Sequence, residues 1–219
     1  MDSYAEILTA MQTPLIQTIY MVTLSTIFSL IIGLPLGIIL TVTSKGHILE
    51  NRIINTIIGT IVNVFRSVPF IILLIALFPL SKLLIGTSIG TNAATVALSI
   101  AAAPFVARVI ENSLKEVSYG LIEASLAAGA TSYQIIFKVM LPEAISSLIL
   151  GITLTIINIL GYSAMAGAVG GEGIGDFAIR EGYLRYNNKV LLLTIIVLII
   201  LVEVIQQFGN LLARKFDKR

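Results

Sequence analysis

Five long apolar runs set the pattern of the chain, at residues 15–43, 53–80, 92–110, 142–165 and 190–213. Each has the length that a helix needs to cross a hydrocarbon core of ~30 Å, and each is too long for a barrel strand. Polar stretches separate them. Residues 44–52 carry Lys45, His47, Glu50 and Arg52, residues 81–91 carry Lys82, residues 111–141 are mixed, and residues 166–189 are rich in glycine and charge. The pattern predicts an all-α membrane protein with five spans in one domain, 1–219. Gly33-Leu34-Pro35-Leu36-Gly37 places a GxxxG around a proline inside the first run. It reads as a kinked helix within a bundle, or as a helix-packing face, and no site is attached to it.

Composition agrees. The chain is 57% hydrophobic and 12% charged, with a mean hydropathy of +0.99, whereas soluble domains carry ~25% charged residues. There is no cysteine, which excludes disulfides, thiol catalysis and Cys-type zinc sites. A net charge of +2, spread along the chain, gives no reason to expect a nucleic-acid partner. The first apolar run exceeds a signal-peptide core and follows no basic stretch, so no cleavable leader is expected.

With five spans the chain ends face opposite sides, and positive charge tells the sides apart. Lys45, Arg52, Arg108, Lys115, Lys138, Arg214, Lys215, Lys218 and Arg219 fall on one side; Lys82, Arg180, Arg185 and Lys189 fall on the other. The expected topology puts the N-terminus outside, and the 111–141 loop and the C-terminus in the cytoplasm.

Within that loop, residues 122–128 are good helix formers. Gly129 can take the positive φ that ends a helix. Thr131 and Gln134 are spaced as a capping box that would start another. Ile135, Ile136, Val139 and Met140 form an apolar stripe at helical spacing, and Pro142 suits the first turn of the next span. The expected product is helix, sharp turn, helix, then membrane: a rigid knob that another protein can grip, set against the alternative of a plain connecting loop.

Other candidates lie in the spans. Arg66, some 13 residues into the second run, and Glu203, about 10 residues from the end of the fifth, sit at similar depths by helical rise. They are expected to form an ion pair or to make separate polar contacts, and Arg66 has either a structural role or one in ligand passage. Asn158, Tyr162, Ser163 and Met165 on the fourth run are pathway candidates, with helix-packing hydrogen bonds as the alternative. Met is polarisable and suits a thioether ligand. Gly173-Ile174-Gly175-Asp176 contains GxGD, a signature of intramembrane aspartyl proteases. That chemistry needs two paired carboxylates, and the only other aspartates are Asp2 and Asp217 at the ends. The 166–189 segment therefore reads as a flexible outer loop. His47 reads as a solvated loop histidine. No GxxxxGK[ST] is present, so the chain has no phosphate-cradling loop of its own, and no metal set is expected.

Glu123-Ala124-Ser125, Gly129 and Val139-Met140-Leu141-Pro142 follow the spacing of the EAA loop, and the chain resembles the permease subunits of ABC importers. Ser125 and Val139 stand where the motif has alanine and isoleucine. Residues 65–74, Ala102-Ala103-Pro104-Phe105, Gly161-Tyr162-Ser163-Ala164-Met165 and the 167–175 loop look like the methionine-uptake branch of that family. The resemblance implies a type I importer permease of five helices per subunit, paired in a two-fold homodimeric core with the pathway at its centre. It implies two separate ATP-binding cassette subunits that carry ATP and Mg, and an external substrate-binding lipoprotein, in a bacterial inner membrane. Glu123, Ala124, Ser125, Ala128, Gly129, Ala130, Leu141 and Pro142 would couple to the ATPase. The chain would be a transport subunit, not an enzyme, and would bind no cofactor itself. The implied cargo is L- or D-methionine or a derivative. A permease for Met-containing dipeptides such as Gly-Met, or for another amino acid, is the alternative, and an intramembrane protease a remote one.

Overall fold

In the computed structural model, which describes residues 3–217, every regular element is helical. Asp2, Lys218 and Arg219, used above in counting aspartates and positive charge, lie outside the described residues. Helix α1 (Tyr4–Val42) starts well before the apolar run and spans 39 residues, about 58 Å at 1.5 Å per residue. Ser3 caps it by accepting the Ala5 N–H. Pro14 and Pro35 lie inside it without ending it.

The second apolar run is not one straight span. It forms α2 (Arg52–Ser67) and α3 (Phe70–Ile85), which meet at 109° across Val68 and Pro69. Pro69 donates no backbone hydrogen bond and pushes the residue before it out of the helical region. Val68 accordingly sits at φ −80°, ψ 131°. Helix α4 (Thr91–Lys115) follows and continues past Ile110, so that Glu111, placed in the loop by the sequence reading, is a buried helical residue. Counting the bent pair as one, α1, α2–α3, α4, α8 (Ile145–Gly167) and α10 (Asn188–Phe216) give five spans among the described residues. Between α4 and α8 lie α5 (Tyr119–Ala127), α6 (Ser132–Gln134), a π-helical turn (Ile135–Met140) and α7 (Leu141–Glu143). Between α8 and α10 lie α9 (Gly173–Phe177) and a second π-helical turn (Ala178–Tyr183).

Helix α4 is the central post, the most buried of the long helices, with α1, α2, α3 and α8 packed on it. The GxxxG of α1 is a packing face after all. A Cβ on Gly33 would stand 2.5 Å from the Val106 side chain, and one on Gly37 would stand 2.6 Å from the Ala107 carbonyl oxygen. Close backbone approach of this kind needs small residues. Gly37→Val is expected to destabilise the fold by about 1–3 kcal/mol through overpacking, read as a lowered midpoint of thermal unfolding in detergent.

The 166–189 segment is packed rather than flexible. Ile174 and Phe177 are buried with Ile7, Met11 and Val190. Ile174 N–H donates to Thr18 Oγ1 at 2.8 Å, and Gly90 N–H donates to the Gly170 carbonyl at 2.8 Å. Glu172 takes φ 62° and accepts hydrogen bonds from Gln17 and Thr91. The glycines are there for contact: a Cβ on Gly167 would meet Asp176 N at 2.3 Å, and one on Gly175 would meet Ala164 O at 2.3 Å. This loop and the start of α1 share one end of the bundle.

Candidate functional site

At the opposite end, the 116–141 segment forms the expected knob. Helix α5 closes at Gly129, whose φ is +80°, and Gly129 N–H donates to the Leu126 carbonyl at 2.9 Å. Both bonds of the capping box are present: Thr131 N–H donates to Gln134 Oε1, and Gln134 N–H donates to Thr131 Oγ1. Pro142 lies in the short α7, one turn before α8, and Ala144 breaks the run into the membrane helix.

The knob has a buried side and an open side. Ile122, Ile135, Ile136 and Met140 pack in one cluster with Val42 of α1, Ile110 and Leu114 of α4 and Leu148 of α8. Glu123, Ala124, Ala128 and Gly129 are exposed, while Ser125, Ala130, Leu141 and Pro142 are half-buried. Around them Leu121, Leu126, Tyr133 and Phe137 also reach solvent, and the rings of Tyr133 and Phe137 touch with centroids 4.5 Å apart. A push on this face meets a core that joins three spans.

The loop between α1 and α2 lies beside it. Ile48 packs against the same cluster. His47 is half-buried there rather than freely solvated. Burial holds its imidazole below the usual histidine range, with a smaller contribution from Lys115, and its Nδ1 accepts the Ile48 N–H at 2.9 Å. The end of α10 is at this end too, since Ser146 Oγ donates to the Ala213 carbonyl at 3.2 Å.

A second feature lies at the α2–α3 break. A cavity of about 420 Å³ is lined there by Arg66, Ser67, Pro69, Phe70, Phe105 and Tyr162, among others. Phe70 and Tyr162 stack with centroids 3.8 Å apart and rings within 8° of parallel. Arg66 is exposed in the last turn of α2 and Glu203 is exposed on α10. They form no ion pair among the described residues. The matched depths assumed an upright second span, and with α2 and α3 at 109° both halves cannot run along the membrane normal. Asn158, Tyr162 and Met165 recur at four and three residues along one face of α8, with Met165 exposed. Ser163 does not join them: it is buried, and its hydroxyl donates to the Leu160 carbonyl at 2.7 Å. Asp176 of the GxGD stretch is paired with Arg180 at 2.8 Å, so it is held by a cation rather than by a second carboxylate.

The sequence reading missed one polar group of the interior. Arg108 was placed at a loop edge but lies within α4. It donates to Asn63 Oδ1 at 2.7 Å and to the Gly59 carbonyl at 3.2 Å, both on α2, and pairs with Glu111. Glu111 also pairs with Lys115 at 2.6 Å. The spacing of Arg108, Glu111 and Lys115 at three and four residues is the signal that could have found it.

The whole arrangement has known counterparts. The profile of the family described as binding-protein-dependent transport system inner membrane component matches residues 33–219. The chain belongs to that family. Among similar proteins, the permease is 49% identical over 203 residues to the probable D-methionine transport system permease protein MetI of Vibrio cholerae, covering 93% of this chain and 90% of that one. It is 45% identical over 181 residues to the methionine import system permease protein MetP of Bacillus subtilis, covering 83% and 82%. Among solved structures, a chain of the MetNI methionine ABC transporter in an inward-facing conformation superposes with a TM-score of 0.95 at 44% identity, over 99% of this permease and 100% of that chain. A chain of an amino acid ABC transporter crystallised with histidines has a TM-score of 0.79 at 19% identity, a likeness of fold.

Proposed function

We propose that this permease is the membrane subunit of an ATP-driven importer that carries methionine into the cell. The observation that carries the reading is end-to-end likeness, in sequence and in fold, to methionine permeases, together with an exposed helical knob rooted in three spans. The full assembly has two copies of this chain, two ATPase subunits that hold ATP and Mg, and an external binding lipoprotein. Glu123, Ala124, Ser125, Ala128, Gly129 and Ala130 of each copy seat in the ATPase, with Leu141 and Pro142 anchoring the knob to α8. The knob, the 44–52 loop and the C-terminus face the cytoplasm, and the N-terminus faces outward. This orientation is supported by nine Lys and Arg against four and by the gathering of those segments at one end of the bundle.

The mechanism follows from rigidity. ATP brings the two ATPase subunits together, and each knob moves with the subunit that holds it. The cluster of Ile122, Ile135, Ile136 and Met140 passes the displacement to α1, α4 and α8 as a rigid-body shift. Cargo entering from the binding protein then meets alternating outward and inward openings. No bond in the cargo changes, so the permease needs only contacts that differ between two states.

The test is uptake of labelled methionine by proteoliposomes holding the permease with its ATPase and binding protein. Uptake should require ATP, and unlabelled L- or D-methionine should compete. If Gly-Met outcompetes both enantiomers, the cargo assignment changes and the importer reading stays. If accumulation is independent of ATP, the importer reading fails.

A further inference from the structure

We infer that the cavity at the α2–α3 break is a cargo-binding site on the translocation path, where the Arg66 guanidinium holds the carboxylate of an amino acid and the Phe70–Tyr162 pair receives its side chain. This rests on the methionine-importer reading.

An arginine at the end of a span is ordinarily held by a carboxylate, by backbone carbonyls or by water. Arg66 has no ion-pair or hydrogen-bond partner among the described residues. Its position in the last turn of α2 also suits the negative end of the helix dipole, but a dipole contact does not require a cavity beside it. The cavity is present, at about 420 Å³, within the ~300–1,000 Å³ typical of small-ligand sites.

Its lining sorts by chemistry. Arg66 and Ser67 lie on the α2 side. Ser67 Oγ is committed to the Asn63 carbonyl at 2.8 Å, which leaves Arg66 as the free polar group there. Phe70, Leu73, Ala101, Phe105 and Tyr162 supply apolar and aromatic surface from α3, α4 and α8. A guanidinium matches a carboxylate with two parallel hydrogen bonds, and a thioether makes favourable contacts with aromatic rings. A short α-amino acid with an apolar, sulfur-bearing side chain fits both halves. The site also lies at the joint of a broken span, where irregular backbone is tolerated in a membrane because it lines a cavity.

The test uses photo-methionine, the diazirine analogue, with the permease–ATPase complex in nanodiscs, without the binding protein, so that only sites on the complex are read. Mass spectrometry should place adducts on residues 65–73, 101–105 or 162. Excess L-methionine or norleucine should protect. Methioninol, which lacks the carboxylate, should protect at least about tenfold less well, the loss expected for a charge-assisted hydrogen bond. Arg66→Gln should cut labelling by a similar factor, and Arg66→Lys should restore part of it. Adducts confined to other residues, or protection by methioninol equal to that by methionine, would overturn the site. If Arg66→Gln does not assemble with the ATPase, the wild-type adduct map and the methioninol comparison still decide. Wild-type uptake of labelled methionine is measured in parallel. Absence of uptake sinks the cargo reading and this site with it, whereas normal uptake with adducts elsewhere sinks this site alone.

Discussion

Replacing Ala124 by tryptophan cuts ATP-driven methionine uptake by about 5- to 150-fold and leaves the permease folded in the membrane. Ala124 is exposed on α5, one residue from Glu123 and four from Ala128, so an indole there displaces nothing within the chain. It intrudes instead on whatever seats against the knob. Overpacking a fitted contact costs about 1–3 kcal/mol, and every ~1.4 kcal/mol is a factor of ten in a docking equilibrium. Uptake is the readout, with unfolding temperature as the control. Gly129→Pro should give a similar loss by another route. Proline fixes φ near −65°, whereas Gly129 sits at +80°, and it removes the N–H that bonds to Leu126. Ile122→Ala differs in kind, because Ile122 is fully buried: the fold itself should lose about 2–5 kcal/mol. Ala124→Trp with normal uptake would mean that the exposed face of α5 takes no part in coupling.

The knob was legible because its instructions are local. A glycine that must take positive φ and a Thr–Gln pair three residues apart fix a turn and a helix start whatever surrounds them. The five apolar runs were legible for the same reason, since bilayer thickness imposes length on each run separately. Contacts between runs were not. Pro35, Pro79 and Pro104 sit inside continuous helices, whereas Pro69 ends one. Before Pro69 the last polar residues of α2, Arg66 and Ser67, border a cavity, where freed backbone groups are tolerated. With α2 and α3 at 109°, both halves cannot stand along the membrane normal, so counting residues no longer gives depth, and the expected Arg66–Glu203 partnership loses its basis. The glycines at 167–175 misled in the opposite sense. Composition reads them as flexible, but they are where α8, α9 and the loop approach too closely for a Cβ.

The same limit hid the interior charges on α4, and they carry the largest effect expected on stability. Glu111→Leu should destabilise the permease by about 3–5 kcal/mol, the cost of removing one partner from a buried pair. Glu111 is almost wholly buried and holds Arg108 and Lys115 at once. Lys115 is half exposed and can turn to water. Arg108 is tied across to Asn63 and Gly59, and its buried Nε already lacks a partner, so the loss falls on Arg108. At about 2–4 °C per kcal/mol for a chain of this size, the unfolding midpoint in detergent should drop by about 6–20 °C. Adding Arg108→Met to Glu111→Leu should recover much of that drop, because an apolar pair of similar volume avoids burying an unmatched charge. What the double variant does not recover is the link from α4 to α2, since a thioether in place of the guanidinium donates no hydrogen bond to Asn63. A double variant as unstable as Glu111→Leu alone would show that the α2 link, not the unmatched charge, is what Glu111 protects.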